Sequence, residues 1–351
     1  MTGVFQWASG NVGRYAARAV SRRSDMELTG LHVTNPDKSG SSVNDLLGID
    51  APGVSATSSI EAILDSAAEV VVHAPLASLI YGENPNQDLD DICSLLAGGK
   101  NVITVVGYMY PKVYGRDVVD RIETACRAGG TSFHGTGLNP GWMGDWLPLA
   151  MSTLCEQIDH LGVLEVSNFQ HYASPQIMFE SMGFGSTPDA FEARGVRRKT
   201  WLDGLFSESI QLVADGLAMN VTTIESTRET VLAENDLEVA AGTVSAGTVA
   251  GQRWYWKGLA GGNEVIAHET VWRIHPDVAP DWPDSNNHIR FKGTPDIDLE
   301  LPRDFTFISN GMLSTAMRAV NAIPYVVAAE PGIRTFLDLP PMFARQSPRS
   351  H

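Results

Sequence analysis

The fold is decided by the first stretch of the chain, Val4-Phe5-Gln6-Trp7-Ala8-Ser9-Gly10-Asn11-Val12-Gly13-Arg14-Tyr15-Ala16-Ala17. An apolar run of strand length passes through a turn of small residues into an alanine-rich segment with helical spacing. This order of strand, glycine turn and helix is typical of the first βαβ unit of a nucleotide-binding domain. The stretch therefore predicts that the turn binds the diphosphate of a dinucleotide.

The composition of this turn suits a diphosphate without any charged side chain. Gly10 allows the backbone to approach phosphate oxygens, and Gly13 allows the helix to pack closely on the strand. The amides at the positive end of the helix point at the anion. The predicted cofactor contacts in the turn are Ser9, Gly10, Asn11, Val12 and Gly13. Ala8 replaces the first glycine of G-x-G-x-x-G, so the alternative is an ordinary glycine turn between a strand and a helix.

Length and composition limit the possible classes of protein. A chain of 351 residues exceeds the usual size of one domain, which predicts two domains. The formal net charge of -16 argues against a nucleic acid or an anionic membrane as partner, since both recruit basic surfaces. Without a membrane-length apolar run or a signal-peptide pattern, we expect a cytoplasmic protein. Cys93, Cys126 and Cys155 lack metal-ligand or C-x-x-C spacing and are expected to be buried thiols.

Alternating strand and helix patterns continue to about residue 136. The clearest strand is Val70-Val71-Val72-His73-Ala74-Pro75, whose continuous β-branched run suits a strand buried on both faces of a parallel sheet. Further strands are predicted at 26–34, 54–57, 101–106 and 131–136, and helices at 58–64, 88–96 and 116–128. We therefore expect residues 1–140 to form a doubly wound, Rossmann-type α/β domain.

Other cofactor contacts are expected at the carboxyl ends of the strands, where ligands bind in such sheets. Ala74 and Pro75 follow the clearest strand and are placed beside the cofactor. The second strand ends in Thr34-Asn35-Pro36-Asp37-Lys38-Ser39, without the usual acidic residue that accepts the ribose hydroxyls of NAD. Asn35 and Lys38 can instead receive a 2′-phosphate, so NADP(H) is favoured. NAD(H) remains an alternative, because Asp37 can turn inward.

The pattern changes after the sixth predicted strand. Residues 141–308 are expected to form an inserted α+β substrate and dimerisation domain with a strand at 161–169. Two or three helices are predicted between Ser174 and Met219, with breaks at Gly183-Phe184-Gly185 and at Gly195, before antiparallel strands from Thr222 to His275. The run Arg253-Trp254-Tyr255-Trp256 belongs either to a subunit interface or to a surface that packs on those helices.

The last part of the chain, residues 309–351, returns to helical spacing. A helix is predicted at 310–321, where Met312, Ala316 and Ala319 lie on one side, and Pro324 is expected to interrupt it. Because this segment is similar to the helices of the first domain, we expect it to pack back on that domain. Residues from about Pro340 are expected to form a surface tail.

Four motifs occur in an order that resembles a known family. They are Gln6-Trp7-Ala8-Ser9-Gly10-Asn11-Val12-Gly13, Gly99-Lys100-Asn101-Val102, Gly135-Thr136-Gly137-Leu138-Asn139-Pro140-Gly141 and Val320-Asn321-Ala322-Ile323-Pro324. Together they resemble the 2,4-diaminopentanoate dehydrogenase-like proteins, which have a dihydrodipicolinate reductase-type N-terminal domain and include NAD(P)H-dependent amine dehydrogenases. The resemblance covers most of the chain. It implies a homodimer, an open sheet in the substrate domain, and hydride exchange between a nicotinamide and a C–N centre.

Two positions depart from the patterns of these proteins. Dihydrodipicolinate reductases carry a paired histidine followed by a lysine where this chain reads Glu165-Val166-Ser167-Asn168-Phe169-Gln170-His171-Tyr172, so reduction in the lysine pathway is not implied. The amine dehydrogenases of the family have a glutamate after the fifth strand, where this chain reads Thr104-Val105-Val106-Gly107-Tyr108-Met109-Tyr110-Pro111. The resemblance implies that the pocket stays at this loop although the carboxylate is missing.

Hydride transfer to a carbonyl or imine also needs a proton donor. Tyr108 lies in the loop of the missing carboxylate and His134 ends the sixth predicted strand, so both are candidate catalytic acids. The alternatives are that the Tyr108 ring only forms a pocket wall and that His134 is a buried structural histidine. Both roles stay open from the sequence.

Neighbouring residues complete the predicted site. Gly107 and Asn139 are predicted cofactor contacts, and the turn after Asn139 fixes its amide so that it can bond the nicotinamide carboxamide or the substrate. The predicted lining of the substrate pocket is Tyr110, Trp142 and His171. No metal site is predicted, because no His, Asp and Glu cluster has ligand spacing.

The sequence therefore predicts an NADP(H)-preferring oxidoreductase. Its small-molecule substrate would be an apolar ketone, imine or activated double bond, with hydride transfer in either direction. One alternative is an amine dehydrogenase that aminates a ketone with ammonia and takes its acid from elsewhere. A further alternative is a protein without turnover that binds NADPH or regulates a partner.

Overall fold

The computed structural model describes residues 1–305 and 308–345, with the backbone alone at residues 308 and 309. The chain divides into two compact units. The first comprises Met1–Gly141 together with the segment that begins at Met312, and the second comprises Trp142–Gly311. No helix of the described residues is both long enough and apolar enough to span a bilayer.

Strands and α-helices are numbered here in chain order. The strands are β1 (Thr2–Trp7), β2 (Met26–His32), β3 (Ala56–Thr57), β4 (Val70–His73), β5 (Asn101–Thr104), β6 (Ser132–Gly135), β7 (Gln157–Asn168), β8 (Thr223–Leu232), β9 (Leu237–Val239), β10 (Gly242–Val244), β11 (Val249–Ala260), β12 (Asn263–Arg273), β13 (Asn287–Thr294), β14 (Ile297–Leu301) and β15 (Gly332–Ile333). The helices are α1 (Asn11–Ser21), α2 (Val43–Leu47), α3 (Ile60–Leu64), α4 (Ser78–Tyr81), α5 (Gln87–Ala97), α6 (Arg116–Gly129), α7 (Trp146–Ser152), α8 (Pro188–Gly216) and α9 (Ile308–Val327).

The first unit is built on a parallel sheet in the order β15-β6-β5-β4-β1-β2-β3. The strand order reverses beside β1, and parallel neighbours are joined through helices, which is the doubly wound arrangement. Every residue of β4 is buried, as its unbroken β-branched run predicts. An apolar core that includes Phe5, Ile92 and Phe133 fills the space between strands and helices. The predicted α/β fold class is confirmed.

The end of the chain differs from expectation at Pro324. Helix α9 does not stop before Pro324 but continues to Val327, so the predicted interruption is wrong. After it, β15 adds a parallel strand beside β6, and the amide of Arg334 donates to the carbonyl of Phe133 (2.8 Å). Within the described residues from Pro340 on, Met342 is buried and the others are exposed, as expected of a surface tail. The part of that predicted tail from residue 346 onward lies outside the described residues.

The second unit contains a mixed sheet in the order β14-β13-β7-β12-β11-β8. The predicted antiparallel ladders are present where β11 pairs with β8 and β12, but β12 pairs with β7 in parallel. A single helix, α8, runs through Gly195, so the predicted break there is wrong. The break at Gly183-Phe184-Gly185 is confirmed, because it separates α8 from a π-helical turn at Gln176–Ser181.

The two faces of β11 differ in their surroundings. Trp254 and Trp256 are fully buried, with their ring planes 3° apart, and Phe206 of α8 stacks on Trp256 at a centroid distance of 4.1 Å. Arg253 and Tyr255 lie on the opposite face and are only half-buried. The tryptophans therefore pack against α8, as expected if the run belongs to a surface that packs on the helices.

Candidate functional site

The register of the parallel sheet brings the predicted cofactor loops of the first unit to one edge. Trp7 at the end of β1 pairs with His32 and His73, His73 pairs with Thr104, and Thr104 pairs with Gly135. The segments that follow these five residues therefore leave the sheet side by side. In open parallel sheets this edge is where ligands bind.

The turn between β1 and α1 is shaped for a close ligand. Helix α1 begins at Asn11, with Gly10 as its N-cap, and no side chain of the described residues caps it. A Cβ atom on Gly10 would meet no described atom within 4 Å, whereas one on Gly13 would overlap the carbonyl oxygen of Ala8. The first amides of a helix have no intrahelical acceptor, so this turn presents donors toward open space. These features fit the diphosphate of a dinucleotide.

Ala8 has a left-handed backbone conformation, which is unusual for a residue that is not glycine. Its φ is 79°, in the left-handed region that glycine adopts without strain. Gln6 supports this conformation, because its side-chain amide donates to the carbonyls of Trp7 (2.8 Å), Ala8 (3.3 Å) and Val72 (3.2 Å). Gln6 was not predicted as part of the site, because only its polarity within an otherwise apolar strand distinguishes it in the sequence.

The segment after β2 carries the predicted 2′-phosphate contacts. Strand β2 ends at His32, two residues earlier than predicted, and Pro36–Lys38 forms a 3₁₀ turn. The side-chain oxygen of Asn35 accepts a hydrogen bond from the amide of Asp37 (2.9 Å) and so caps this turn. Asn35, Asp37 and Lys38 are all exposed. The turn therefore carries one acidic and one basic side chain that are both accessible to a ligand.

The loop after β5 is held against the end of β6. Gly107 and Tyr108 have φ values of 129° and 60°, and a Cβ atom on Gly135 would overlap the carbonyl of Tyr108. The Tyr108 ring packs on the core of the first unit and contacts the Tyr114 ring at 5.1 Å. Tyr110 is half-buried, with the Lys112 ammonium 5.8 Å from its ring centre. A non-glycine residue held at positive φ in a ligand loop points to a functional constraint.

His134 is buried inside the first unit. Its Nδ1 donates to the carbonyl of Arg334 (2.6 Å), and its ring lies edge-on to Phe336 at 5.1 Å. Burial lowers the pKa of His134 to about 4, so the imidazole is neutral at physiological pH. This environment favours the structural role that the sequence left open. A catalytic role for His134 stays a prediction.

A second buried imidazole lies at the ligand edge itself. His73 is fully buried, and its Nδ1 lies 3.0 Å from the hydroxyl of Thr104. Burial and the neighbouring His32 lower the pKa of His73 to about 3. The Trp7 ring lies between the two histidines, 4.0 Å from the ring of His32 and 5.3 Å from that of His73. Trp7, His32 and His73 are the last residues of β1, β2 and β4, so the three rings directly precede the loops at the ligand edge.

Three further predicted residues follow the strands β6 and β7. Asn139 is half-buried and precedes Pro140 through a cis peptide bond at the end of the first unit. Trp142 begins the second unit, and its ring contacts that of Phe305 at 5.5 Å. His171 is exposed, three residues after the end of β7. The roles predicted for these residues stay predictions.

The sheet of the second unit presents polar groups that the sequence analysis did not single out. His268 and Thr270 are each 1% exposed and lie on the same face of β12, next to Glu165 of β7. The His268 Nε2 lies 3.1 Å from the carbonyl of Gly144, and burial lowers the pKa of His268 to about 4. Nearby, the hydroxyl of Ser209 donates to the buried carboxylate of Asp145 (2.9 Å). Only the alternation of polar residues along β12 could have indicated this cluster.

Comparison with known proteins decides the family. Residues 142–348 match the model of the 2,4-diaminopentanoate dehydrogenase C-terminal domain, which is more than half of the chain. The chain belongs to the 2,4-diaminopentanoate dehydrogenase family. An amine dehydrogenase of Streptomyces virginiae is 31% identical to it over 353 residues, which cover 95% of both chains. A 2,4-diaminopentanoate dehydrogenase of Acetoanaerobium sticklandii is 27% identical and covers 80% of this chain and 76% of its own.

Solved structures agree with this family member in fold. An amine dehydrogenase from Mycobacterium smegmatis superposes with a TM-score of 0.80 at 19% identity, covering 98% of this chain and 97% of its own. A probable dehydrogenase from Thermotoga maritima superposes with a TM-score of 0.56 at 13% identity, covering 96% and 92%. The family member described here is an NAD(P)-dependent oxidoreductase, and it uses a nicotinamide cofactor and a small-molecule substrate. Its described residues contain no cluster of three or more metal-ligating side chains.

Proposed function

We propose that this family member transfers hydride between NADP(H) and a small apolar ketone, imine or activated double bond. The observation that carries the proposal is the turn before α1, where Gly10 faces open space and Gly13 lies against Ala8. The turn offers helix amides to a diphosphate and no carboxylate that would repel it. Ser9, Asn11 and Val12 complete the proposed contact.

The preference for NADP(H) rests on the segment after β2. No carboxylate stands at the end of this strand, and the exposed Lys38 is available to a 2′-phosphate. The side-chain oxygen of Asn35 caps the 3₁₀ turn, and the residue is exposed, so we propose that its side-chain amide donates to the 2′-phosphate. The exposed Asp37 is the feature that favours NAD(H), so the two cofactors must be compared directly.

When bound, the nicotinamide supplies or accepts the hydride. The chain's own residues hold and shield the reacting atoms. Ala74, Pro75 and Gly107 follow β4 and β5 at the ligand edge, and we propose that they form the wall beside the ring. Asn139 is proposed to orient a carboxamide or substrate through its side-chain amide. Tyr108 is proposed as the proton donor, because its hydroxyl is protonated at neutral pH in ordinary surroundings.

Reductive amination is the second candidate, and the similarity to an amine dehydrogenase favours it. The relative that is 31% identical over 95% of both chains is an amine dehydrogenase. This candidate has the same cofactor site but adds ammonia as a co-substrate. It requires that an acid other than a glutamate after β5 serves the reaction, since residues 105–111 contain no carboxylate.

We also propose that the protein is a cytoplasmic homodimer. The second sheet supports this, because Arg253 and Tyr255 leave one face of β11 half-exposed while the other face is fully buried. Sedimentation velocity measures the mass. A species of twice the mass that a Tyr255→Glu substitution converts to a monomer supports the interface, and a wild-type monomer rejects it.

Cofactor and substrate are tested together. Titration of the purified protein with NADPH and NADH, followed by fluorescence, should show tighter binding of NADPH. Oxidation of NADPH is then followed with ketones, cyclic imines and enones, each with and without ammonium chloride. Turnover that needs ammonium selects the amine dehydrogenase, and turnover without it selects the simpler reductase. Tight binding with no turnover on any substrate would instead identify a nucleotide sensor.

A further inference from the structure

One face of the sheet in the second unit carries a group of neighbouring polar side chains. His268 and Thr270 are two residues apart on β12 and therefore point to the same side. Glu165 is the register partner of Thr270 on the parallel strand β7. We name these three residues the acceptor group.

His268 can accept a hydrogen bond from a ligand. Its Nε2 faces the carbonyl of Gly144 (3.1 Å), and because a carbonyl only accepts hydrogen bonds, Nε2 must carry the hydrogen. The Nδ1 atom is then a bare lone pair. It is buried and has no hydrogen-bond partner among the described residues. The lowered pKa of His268 keeps this lone pair unprotonated.

Thr270 and Glu165 extend the group along the same face. The Thr270 hydroxyl is buried and has no partner within the described part of the chain. One carboxylate oxygen of Glu165 accepts the indole N–H of Trp272 (2.9 Å) and the hydroxyl of Ser167 (3.3 Å), which fixes the orientation of the carboxyl group. A buried polar group without a partner costs free energy, so native proteins seldom leave two such groups adjacent without a ligand or water.

Aromatic rings flank these acceptors. Trp254 is the register partner of Thr270 on β11, and Trp256 is the register partner of His268. Both indoles are fully buried. The Trp256 ring stacks on Phe206 and the Arg228 guanidinium lies 5.1 Å from the Trp254 ring centre, so the indoles are already covered and form a wall beside the acceptors. Two neutral acceptors and one carboxylate together suit a ligand that has several N–H donors and a positive charge.

We infer that His268, Thr270 and Glu165 bind the amine nitrogen of the reaction, as an ammonium ion or as the ammonium group of a primary alkylamine. This inference rests on the second candidate function, reductive amination. The nitrogen donates to Nδ1 of His268 and to the hydroxyl oxygen of Thr270, and the Glu165 carboxylate balances its charge. A ketone oxygen has no proton to donate and therefore gains nothing from Nδ1 of His268 or from the Glu165 carboxylate.

The test uses Thr270→Val, which removes the hydroxyl at nearly constant volume, and Glu165→Gln, which removes the charge. The matched controls are Thr243→Val and Glu238→Gln, because these residues hydrogen-bond to each other on the exposed hairpin β9–β10. Dissociation constants for ammonium chloride and for propylamine are measured by calorimetry on the complete protein. The KM values for ammonium and ketone are measured where turnover occurs.

We expect each site variant to weaken amine binding and raise the ammonium KM about tenfold, with the ketone KM and both controls unchanged. Thr270→Ser should restore wild-type binding, which a role in packing alone would not predict. A weaker affinity for ammonium chloride identifies the co-substrate position, and one confined to propylamine identifies the position of the amine substrate. Wild-type affinities for both ligands in folded site variants would overturn the inference and assign the acceptors to buried water.

Reductive amination and the acceptor group are rejected by different results. If wild-type protein never oxidises NADPH in the presence of ketone and ammonium, reductive amination is rejected, whatever the calorimetry shows. If it does so and the site variants keep the wild-type ammonium KM, only the acceptor group is rejected. Melting curves from circular dichroism establish that each variant is folded before it is scored.

Discussion

The carbonyl oxygen of Ala8 occupies the space that a Cβ atom on Gly13 would need. Helix α1 therefore lies directly on the end of β1, and its first amides face the same open space as Gly10. The closeness of these two residues brings the helix amides to the end of β1, which is the arrangement that a diphosphate site requires.

The two glycines of this turn should respond differently to substitution. Gly10→Val places its side chain in open space at a φ of -67° and should leave stability nearly unchanged while it blocks the diphosphate. Gly13→Ala must push the helix away from Ala8 and should cost about 1–3 kcal/mol of unfolding free energy. Urea denaturation and NADPH titration measure both effects. Normal NADPH binding by Gly10→Val would show that the diphosphate lies elsewhere.

Ala8→Gly should stabilise the protein or leave it unchanged. Ala8 has a φ of 79°, a conformation that costs a non-glycine residue about 1–2 kcal/mol. Glycine removes this strain, but its greater entropy in the unfolded chain offsets about half of the resulting gain in unfolding free energy. The control is Ala19→Gly within α1, which should destabilise by about 1 kcal/mol. Equal losses for the two variants in urea denaturation would mean that the turn is unstrained.

The fold could be predicted mostly where local pattern and tertiary environment agree. The run at Val70 was recognisable because a strand buried on both faces needs no alternation. The break expected at Gly195 was wrong, because α8 packs on the sheet and this packing outweighs the helix cost of one glycine. Pro324 similarly lies inside α9, where burial of Ile323 and Val326 holds the helix together. Propensity alone does not include such contacts.

The site was predictable only in part for a related reason. Only two residues separate Gly10 from Gly13, so their pattern is visible in the sequence. Thr270 and Glu165 are more than one hundred residues apart and become neighbours only through the parallel pairing of β12 with β7. The support that Gln6 gives to Ala8 depends on carbonyl positions that no residue pattern encodes. Long-range register therefore limits what sequence reasoning can find.

Stability should fall as the pH drops below about 6.5. His73, His134 and His268 have folded pKa values lowered to about 3, 4 and 4, chiefly by burial. The unfolded chain binds their protons near pH 6.5, so it binds more protons than the folded chain between that pH and about 4. Each histidine then removes about 1.4 kcal/mol of unfolding free energy per pH unit, and above pH 6.5 its full contribution is present.

Urea denaturation from pH 8 to pH 5 measures this slope. His73→Gln should reduce the change of unfolding free energy per pH unit by the contribution of one histidine. The variant should also be less stable overall, because Gln fills the buried site poorly. His171→Gln removes an exposed imidazole and serves as the control. A flat profile for the wild type would show that the three buried histidines titrate alike in the folded and unfolded chains.

Asn35→Asp should reverse the cofactor preference. The carboxylate can still cap the amide of Asp37, so the 3₁₀ turn stays intact, but it places a negative charge where the 2′-phosphate is proposed to lie. We expect the NADPH dissociation constant to rise at least tenfold at low salt, with that for NADH unchanged or lower. Asn44→Asp on α2 changes the net charge equally and is the control. An identical effect of both variants would exclude a specific phosphate contact.

Tyr108→Phe should separate binding from catalysis. The ring packs on the core of the first unit beside Tyr114, and Phe keeps that packing, so fold and NADPH affinity should remain as in the wild type. If the hydroxyl is the acid, kcat should fall by about a hundredfold or more, because this is the usual contribution of a placed proton donor. Tyr114→Phe removes a neighbouring hydroxyl and should leave kcat unchanged. Full turnover by Tyr108→Phe would make the ring a wall of the pocket, and the proton would then have to come from another residue.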